Sequence, residues 1–554
     1  MSTTLGLKLT HDATVALIDG DRLAFSVELE KVNNGARYTT CRSVAEIESV
    51  LAARDVAFKD IDTIAIDGWK GGSIKPWSLN VAPYHEYDGS KEPMDLLAPT
   101  PVSGGLTAVS YKHVAGHVIG SYIVSDFAAR GEPAYCISWD GGLQPRVHHV
   151  DPVSGKVEFV GTLFELYGVL YGIMGYYFGP YKKEAVYGSK TIDAATIIAG
   201  GLYGGYDTPG KLMSYIALGA PSERIIEALE AHYGGIERAL RGGAEPLAYN
   251  RDGLPEHELC RFAHRIKGTA TDADALASIH TFLERTLVRR AVAALPRGSN
   301  LIFTGGCALN IKWNTALRES GHFSSVFVPP FPNDCGSAIG AAAVQAWHEG
   351  VRRLHWDVYS GPALLRDVAP GWMSAVCSPQ LLGAMLADNK DEAIVVLHGN
   401  AELGPRALGH RSLFMSPELK GNQALLNKLK RREDFRPVAP ICLEEFAQEI
   451  FDPGTPDPWM LFDHAVRAAW LARIPAVVHV DGTARLQTIN KSQCKTTTEI
   501  IQGYYAATGV PLLCNTSANA LGCGFFPDVA SAQRWAAEAG VKHVWAEGTL
   551  WSRA

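Results

Sequence analysis

Polar and apolar positions alternate over short runs at the start of the chain, then shift to a helical spacing. Leu5 to Glu30 reads as three strands, broken at His11-Asp12 and at Asp19-Gly20-Asp21, where turn residues interrupt the apolar runs. Val44, Ile47, Val50 and Leu51 lie three or four apart, predicting a helix over Val44 to Ala53, and Thr63 to Asp67 predicts a further strand. The order then returns: Ala134 to Trp139, Arg146 to Val150 and Val157 to Leu163 are strand-like, with breaks at Asp140-Gly141-Gly142 and Asp151 to Gly155.

Two meanders on one plan predict a domain of two related halves, the build of actin-like and sugar-kinase-like ATPases, whose first turns face nucleotide phosphates. Two unrelated meanders in an α/β protein are the alternative. Ile226 to Leu295 is mostly helical, with a Gly/Pro interruption at Gly242 to Pro255. Strands are expected at Asn300 to Gly306 and Ser325 to Pro330, then a loop to Asp334 and a small-residue helix, Ser337 to Trp347. Val358 to Gly371 reads as a linker, dividing the chain into domains 1–360 and 371–554. A new α/β pattern follows, with helical Pro379 to Asp388 and strand Ala393 to His398.

The 554 residues call for at least two domains, and 47% hydrophobic with 20% charged residues describes folded chains, not disordered or coiled-coil ones. A net charge of -7 disfavours nucleic acid and anionic membrane as partners. Met1 to Leu17 carries no secretion signal, no apolar run of about 20 residues occurs, and the ten cysteines form no CxxC pair. A cytoplasmic protein is expected, with its oligomeric state open.

The chemistry-bearing residues form two groups. In the first, His113 and His117, four apart on a predicted helix, share one face. With Asp140 at a strand end and Asp334 in a Pro-Asn-Asp-Cys-Gly loop they make a His2Asp2 set suited to Fe(II), Zn(II) or Mn(II). His11, before Asp12, is the candidate general base, since a near-neutral pKa suits removal of a hydroxyl proton. Lys211 in Pro209-Gly210-Lys211, and Gly305, Gly306 and Asn310 after a strand, are placed to approach a nucleotide, although a solvated lysine and a tight turn explain them equally well.

The second group is C-terminal: Gly404-Pro405-Arg406-Ala407-Leu408-Gly409, then Lys430 to Pro437 with Arg436, His479-Val480-Asp481-Gly482-Thr483-Ala484-Arg485, and Asn515-Thr516-Ser517. Cations interspersed with small hydroxyl residues in an acidic chain predict a pocket for more than one phosphate-like group. These motifs, in this order, resemble the O-carbamoyltransferase family of antibiotic-tailoring and nodulation-factor enzymes, and the likeness covers nearly the whole chain.

The resemblance implies an actin-like (ASKHA) duplicated N-terminal domain, similar to the threonylcarbamoyl transferase of tRNA modification, fused to a YrdC-like α/β C-terminal domain. It implies that ATP, with Mg(II), and carbamoyl phosphate are bound by Arg406, Lys430, Arg436, Arg485, Asn515 and Ser517. Carbamoyl-adenylate made there would pass to the N-terminal domain, near Asp12, Lys211, Gly305, Gly306 and Asn310. At the His113, His117, Asp140 and Asp334 metal site, with Fe(II) the first choice, His11 would deprotonate a small-molecule alcohol. Leu143-Gln144, Glu28 to Asn33, and Ala518 to Cys523 depart from the family pattern. Rival readings are a sugar-kinase-like phosphotransferase, a tRNA threonylcarbamoyl transferase and an ATP-gated interaction module.

Overall fold

A computed structural model describes residues 2–68, 72–74, 77–79, 94, 96–102, 106–182, 206–241 and 254–553. Thr3–Lys8 (β1), Thr14–Asp19 (β2) and Arg22–Glu28 (β3) form an antiparallel meander, and Thr63–Asp67 (β4) runs parallel to β1. Gly72–Ile74 (β5) and Trp77–Leu79 (β6) make a separate hairpin, while Leu96–Pro101 (β7) and Thr107–Tyr111 (β8) complete a sheet of order β3-β2-β1-β4-β8-β7. Ala134–Ser138 (β9), Arg146–Asp151 (β10) and Lys156–Thr162 (β11) are the second meander. Asn300–Thr304 (β12) lies parallel to β9 and Ser325–Phe327 (β13) parallel to β12, giving β11-β10-β9-β12-β13. Each sheet thus has an antiparallel meander with its first strand inward, followed by two strands parallel to that first strand.

Alternation along β1 explains how one strand serves both a core and a site. Leu5 and Leu7 pack with Val44, Ile47 and Leu51 of the helix Val44–Ala52. Gly6 and Lys8 face the other way. There the small-residue helix Ser337–His348 comes so close that a Cβ on Gly6 would meet the Ala338 carbonyl oxygen at 2.0 Å. That helix also crosses the helix His113–Tyr122 at glycines, since a Cβ on Gly340 would lie 2.4 Å from the Gly116 carbonyl oxygen. Helices Glu223–Arg241, Leu254–Ile266 and Asp272–Ala294 share a core with Ile137, Leu301 and Phe303 of the second sheet. Of the expected interruption at Gly242 to Pro255, residues 242–253 lie outside those described.

The C-terminal part has its own core, built on a mixed sheet. Its strands are Met373–Val376 (β14), Ile394–Leu397 (β15), Arg411–Met415 (β16) and Ala439–Leu443 (β17). A three-stranded sheet intervenes, formed by Phe451–Asp452 (β18), His464–Val466 (β19) and Thr483–Ala484 (β20). Gln487–Ile489 (β21), Leu512–Ser517 (β22), His543–Ala546 (β23) and Thr549–Ser552 (β24) follow, in the order β14-β24-β23-β15-β16-β22-β17-β21. Helices Pro379–Asp388 and Lys495–Thr508 pack closely, Gly383 leaving room for the Ile500 carbonyl. The linker-like stretch is paired to this part, through bridges Ala363 to Asn400 and Leu365 to Asp528. No helix among the described residues is long and apolar enough to cross a membrane.

Buried histidines give the fold a defined response to acid. His148 on β10 is fully buried, neither ring nitrogen has a partner among the described residues, and burial, then Arg146, lowers its pKa to about 3. A depressed folded pKa gives stability that is complete above the unfolded value near 6.5 and is lost as pH falls toward the folded one. His148→Phe is therefore expected to reduce the pH slope of unfolding free energy between pH 6 and 4 by about 1.4 kcal/mol per pH unit. Denaturant titrations across that range measure the slope.

Candidate active site

One end of the crossing helices carries the first cluster. His113, His117, Asp140 and Asp334 are all buried, with one ligand-capable atom from each within 4.8 Å of the others. His113 and His117 open the helix that Gly116 and Gly120 press against Gly340, and Asp334 sits just before the partner helix. The Nε2 atoms of the two histidines are 2.9 Å apart, and Asp334 Oδ1 lies 3.4 and 3.6 Å from them. Asp140 Oδ2 is 4.0 Å from His113 Nε2, while Asp140 Oδ1 accepts the Gly306 amide at 2.7 Å.

Two further residues support this cluster. Asp67, at the end of β4, bonds His113 Nδ1 at 2.9 Å, fixing the ring so that Nε2 faces the cluster. Lys8 bridges Asp67 and Asp334 at 2.8 Å each. Burial opposes charging of His113, but Asp67 and then Asp334 outweigh it and raise its pKa to about 10. Three carboxylates, Asp67, Asp140 and Asp334, here face Lys8 and the two imidazoles. With two imidazoles and two carboxylates, the residues fit a divalent cation of the Fe(II), Zn(II) or Mn(II) type.

His11 lies beside this cluster and is its most accessible member, 30% exposed. Its Nδ1 is 2.9 Å from Asp12 Oδ2, its Nε2 is 3.5 Å from Asp334 Oδ2, and its ring stacks on Tyr206. Asp12 adopts a left-handed backbone, φ 58°, which turns the chain sharply after β1. Gly305, at φ 88°, lets the β12 turn approach Trp139: a Cβ there would meet the Trp139 carbonyl oxygen at 2.3 Å.

The second group lines a loop between β15 and β16. Glu402 Oε1, completely buried, accepts the backbone amides of Leu408, His410 and Arg411, and Arg411 donates to the carbonyls of His398, Gly399 and His410. This internal scaffold presents Arg406. Burial, then the charges of Arg485, Arg436 and Arg37, push the Arg406 pKa down. Burial and Arg436 lower Arg485 to about 10, and burial with Arg436 and Arg485 lowers Arg432 to about 9. Arg406 Nε, Arg485 Nε and a terminal nitrogen of Arg432 have no partner among the described residues. Mutually repelling, underpartnered guanidinium groups of this kind suit a multiply charged anion.

The remaining candidates occupy supporting positions. Lys430 Nζ donates to the carbonyls of Ser517 and Asn519 and to Asn519 Oδ1, so its three hydrogens hold the turn after β22. Asn515 donates to Ala407 O and Gln487 Oε1, and Ser517 Oγ to Asn519 Oδ1. Arg436 lies 3.7 Å from Glu433, and Lys211 pairs with Asp207 at 2.6 Å. Asn310 caps the helix Ile311–Glu319 through Oδ1, with Nδ2 3.0 Å from His280. Arg37, Arg432, Lys8, Asp67 and Glu402 were not expected; Lys8, a lone charge in the apolar run Leu5 to Leu9, carried a visible signal.

The two groups meet. Arg406 donates to Leu309 O in the turn that follows Gly305-Gly306, and Lys312 bridges Asp463 and Asp481 at 2.8 and 2.9 Å. Lys31 donates to the carbonyls of Glu402 and Gly404 while pairing with Glu28, and Gly404 donates back to Glu28. Gly524 bonds Gly35, and Arg37 bonds Gly522, so the stretch just after Glu28 to Asn33 is docked on the end of the atypical Ala518 to Cys523 segment. In the third, Leu143 is buried in the core and Gln144 donates to Glu165 at 2.7 Å.

Comparison with known proteins matches these two parts separately. Residues 3–92 and 105–343 fit the family model "Carbamoyltransferase N-terminus", and residues 384–553 fit "Carbamoyltransferase C-terminus". Nodulation protein U of Rhizobium tropici is 45% identical, over 99% of this chain and 96% of its own. The 3'-hydroxymethylcephem-O-carbamoyltransferase of Amycolatopsis lactamdurans is 28% identical, over 99% of each chain. Among solved structures, the activator of the 2-hydroxyisocaproyl-CoA dehydratase from Clostridium difficile aligns over 63% of this chain at 14% identity, with a TM-score of 0.33, too low to define a shared fold. Matched along both parts and nearly end to end with such relatives, the chain belongs to the carbamoyltransferase family.

Proposed function

We propose that this carbamoyltransferase is an ATP-dependent O-carbamoyltransferase that makes carbamoyl-adenylate in a YrdC-like C-terminal domain and carbamoylates a small-molecule hydroxyl in an actin-like N-terminal domain. The observation that carries the reading is the contact of the underpartnered arginines, through Arg406 on Leu309, with the turn whose Gly306 amide holds Asp140 of the His2Asp2 cluster. Water hydrolyses carbamoyl phosphate to carbamate and inorganic phosphate, the carbamate oxygen then attacks the α-phosphorus of ATP, and pyrophosphate leaves. Arg406, Arg432, Arg436 and Arg485 bind the phosphates and stabilise the charge that builds on the departing pyrophosphate. The relative named for a hydroxymethylcephem favours an alcohol acceptor of natural-product type.

In the N-terminal domain His11, oriented by Asp12, takes the proton of the acceptor hydroxyl as its oxygen attacks the carbamoyl carbon, and AMP leaves. A divalent cation held by His113, His117, Asp140 and Asp334 would supply Lewis acidity toward the carbamoyl or phosphate oxygens. His11→Ala is expected to keep pyrophosphate release from ATP and carbamoyl phosphate near the wild-type rate while slowing carbamoylation of an accepted alcohol about 100-fold. Parallel assays of pyrophosphate and of carbamoyl addition by mass spectrometry test this. Equal loss in both assays would refute the division of labour, and ADP as the sole nucleotide product would point to a phosphotransferase.

A further inference from the structure

A second ligand-rich cluster lies in the C-terminal part, away from the His2Asp2 set. His398 follows β15, His410 precedes β16, and Cys494 begins the helix Lys495–Thr508; all three are buried. One ligand-capable atom from each lies within 4.8 Å of the others. His410 Nδ1 is 2.7 Å from the Asn400 carbonyl, which can only accept, so Nδ1 carries the hydrogen and Nε2 holds the lone pair. That lone pair points at Cys494 Sγ, 3.3 Å away. His398 Nε2 is 3.1 Å from Thr497 Oγ1, and that hydroxyl is 3.4 Å from Cys494 Sγ.

The geometry points to a second metal site, in which His398, His410 and Cys494 bind one zinc-like divalent cation with the Thr497 side at the fourth corner. Ligand bonds of about 2.0–2.1 Å to nitrogen and 2.3 Å to sulfur place the corners of a tetrahedron about 3.5 Å apart, close to the His410–Cys494 separation. The Asn400 carbonyl on the far ring nitrogen is the outer support that ligating histidines ordinarily have. A softer donor set than His2Asp2 selects zinc over iron or manganese, the thiolate making the difference.

The position gives such a site a purpose. His398 and His410 stand at the two ends of the loop 399–409, and Cys494 belongs to the helix beneath it. One cation would close the base of the loop that presents Arg406, adding a bond network to the Glu402 scaffold. It would be a structural centre, remote from the hydroxyl-transfer chemistry.

The test uses the full-length chain, stripped of divalent metal and titrated with Co(II). Wild type is expected to develop a cysteine-to-cobalt charge-transfer band, which the all-nitrogen-and-oxygen cluster at His113 cannot produce. Cys494→Ser is expected to lack the band while retaining cobalt at the other centre, and zinc content should fall by one equivalent. A wild-type spectrum without the band, or a band that survives in Cys494→Ser, overturns the proposal. If Cys494→Ser does not fold, His410→Asn keeps the thiol and should weaken cobalt binding, followed by the same band, at least about tenfold. Unchanged affinity in His410→Asn would equally overturn it.

Discussion

Replacing Arg485 with alanine is expected to slow pyrophosphate release from ATP and carbamoyl phosphate about 1000-fold while leaving the melting temperature unchanged or higher. The catalytic loss follows from removing a preorganised cation from a water-poor pocket, where one donor is worth about 10²–10³ in rate. The stability follows from the opposite side of the same arrangement. Arg485 is half-buried, lies within the influence of Arg436 and Arg432 as well as of Asp457 and Asp463, and has an Nε with no partner among the described residues. Withdrawal from water opposes its charge most, with Arg436 next, so its removal relieves the resting protein. Steady-state pyrophosphate assays and thermal melts, with and without ATP, give both numbers. ATP should raise the wild-type melting temperature more than that of Arg485→Ala. A variant that loses activity only because it unfolds would contradict this account.

Asp334→Ala is expected to reduce carbamoyl transfer about 1000-fold or more and to leave pyrophosphate release largely intact. Asp334 is the hub of the N-terminal cluster, within 3.6 Å of Lys8, His11, His113 and His117. Its loss would remove a ligand, and a Lewis acid is worth several kcal/mol in the transition state, with about 1.4 kcal/mol for each factor of ten. Lys8 would keep Asp67 as its one carboxylate, at a stability cost of about 3–5 kcal/mol if the charge stays buried and half-paired. Asp334→Asn preserves the volume and separates the effects: it should melt closer to wild type yet stay deficient in transfer. Product mass spectrometry alongside metal content per chain checks both variants.

Much of the N-terminal plan was legible because alternation and turn chemistry are local. The two meanders needed only the breaks at His11-Asp12 and Asp140-Gly141-Gly142 to be read, and His113 with His117 needed only the four-residue spacing. What escaped was long-range. Lys8 and Asp67 are 59 positions apart and meet because β1 and β4 are parallel neighbours, which no local pattern states. Arg37 enters the arginine group through docking of its segment on Gly522, again a tertiary event.

The motifs carried a different ambiguity. Lys430, Asn515 and Asn310 were singled out as ligand contacts by residue type, yet their polar atoms hold a turn, a loop and a helix start. A sequence shows that a polar group needs a partner; it does not show whether that partner is substrate or backbone. Glu402, between Ala401 and Leu403 and beside the noticed Gly-Pro-Arg motif, organises three amides of that motif from within.

The docking of residues 28–37 on the C-terminal part has a consequence for how such a protein can change over time. Lys31 reads two carbonyls of the Glu402–Gly404 turn, and Arg37 is lent by one half to the anion pocket of the other. Neither half can be exchanged for a relative's counterpart without carrying along the matching patch on its neighbour. The two parts thus share one seam, and a change to Lys31 or Arg37 on one side is felt at the loop and the arginines on the other.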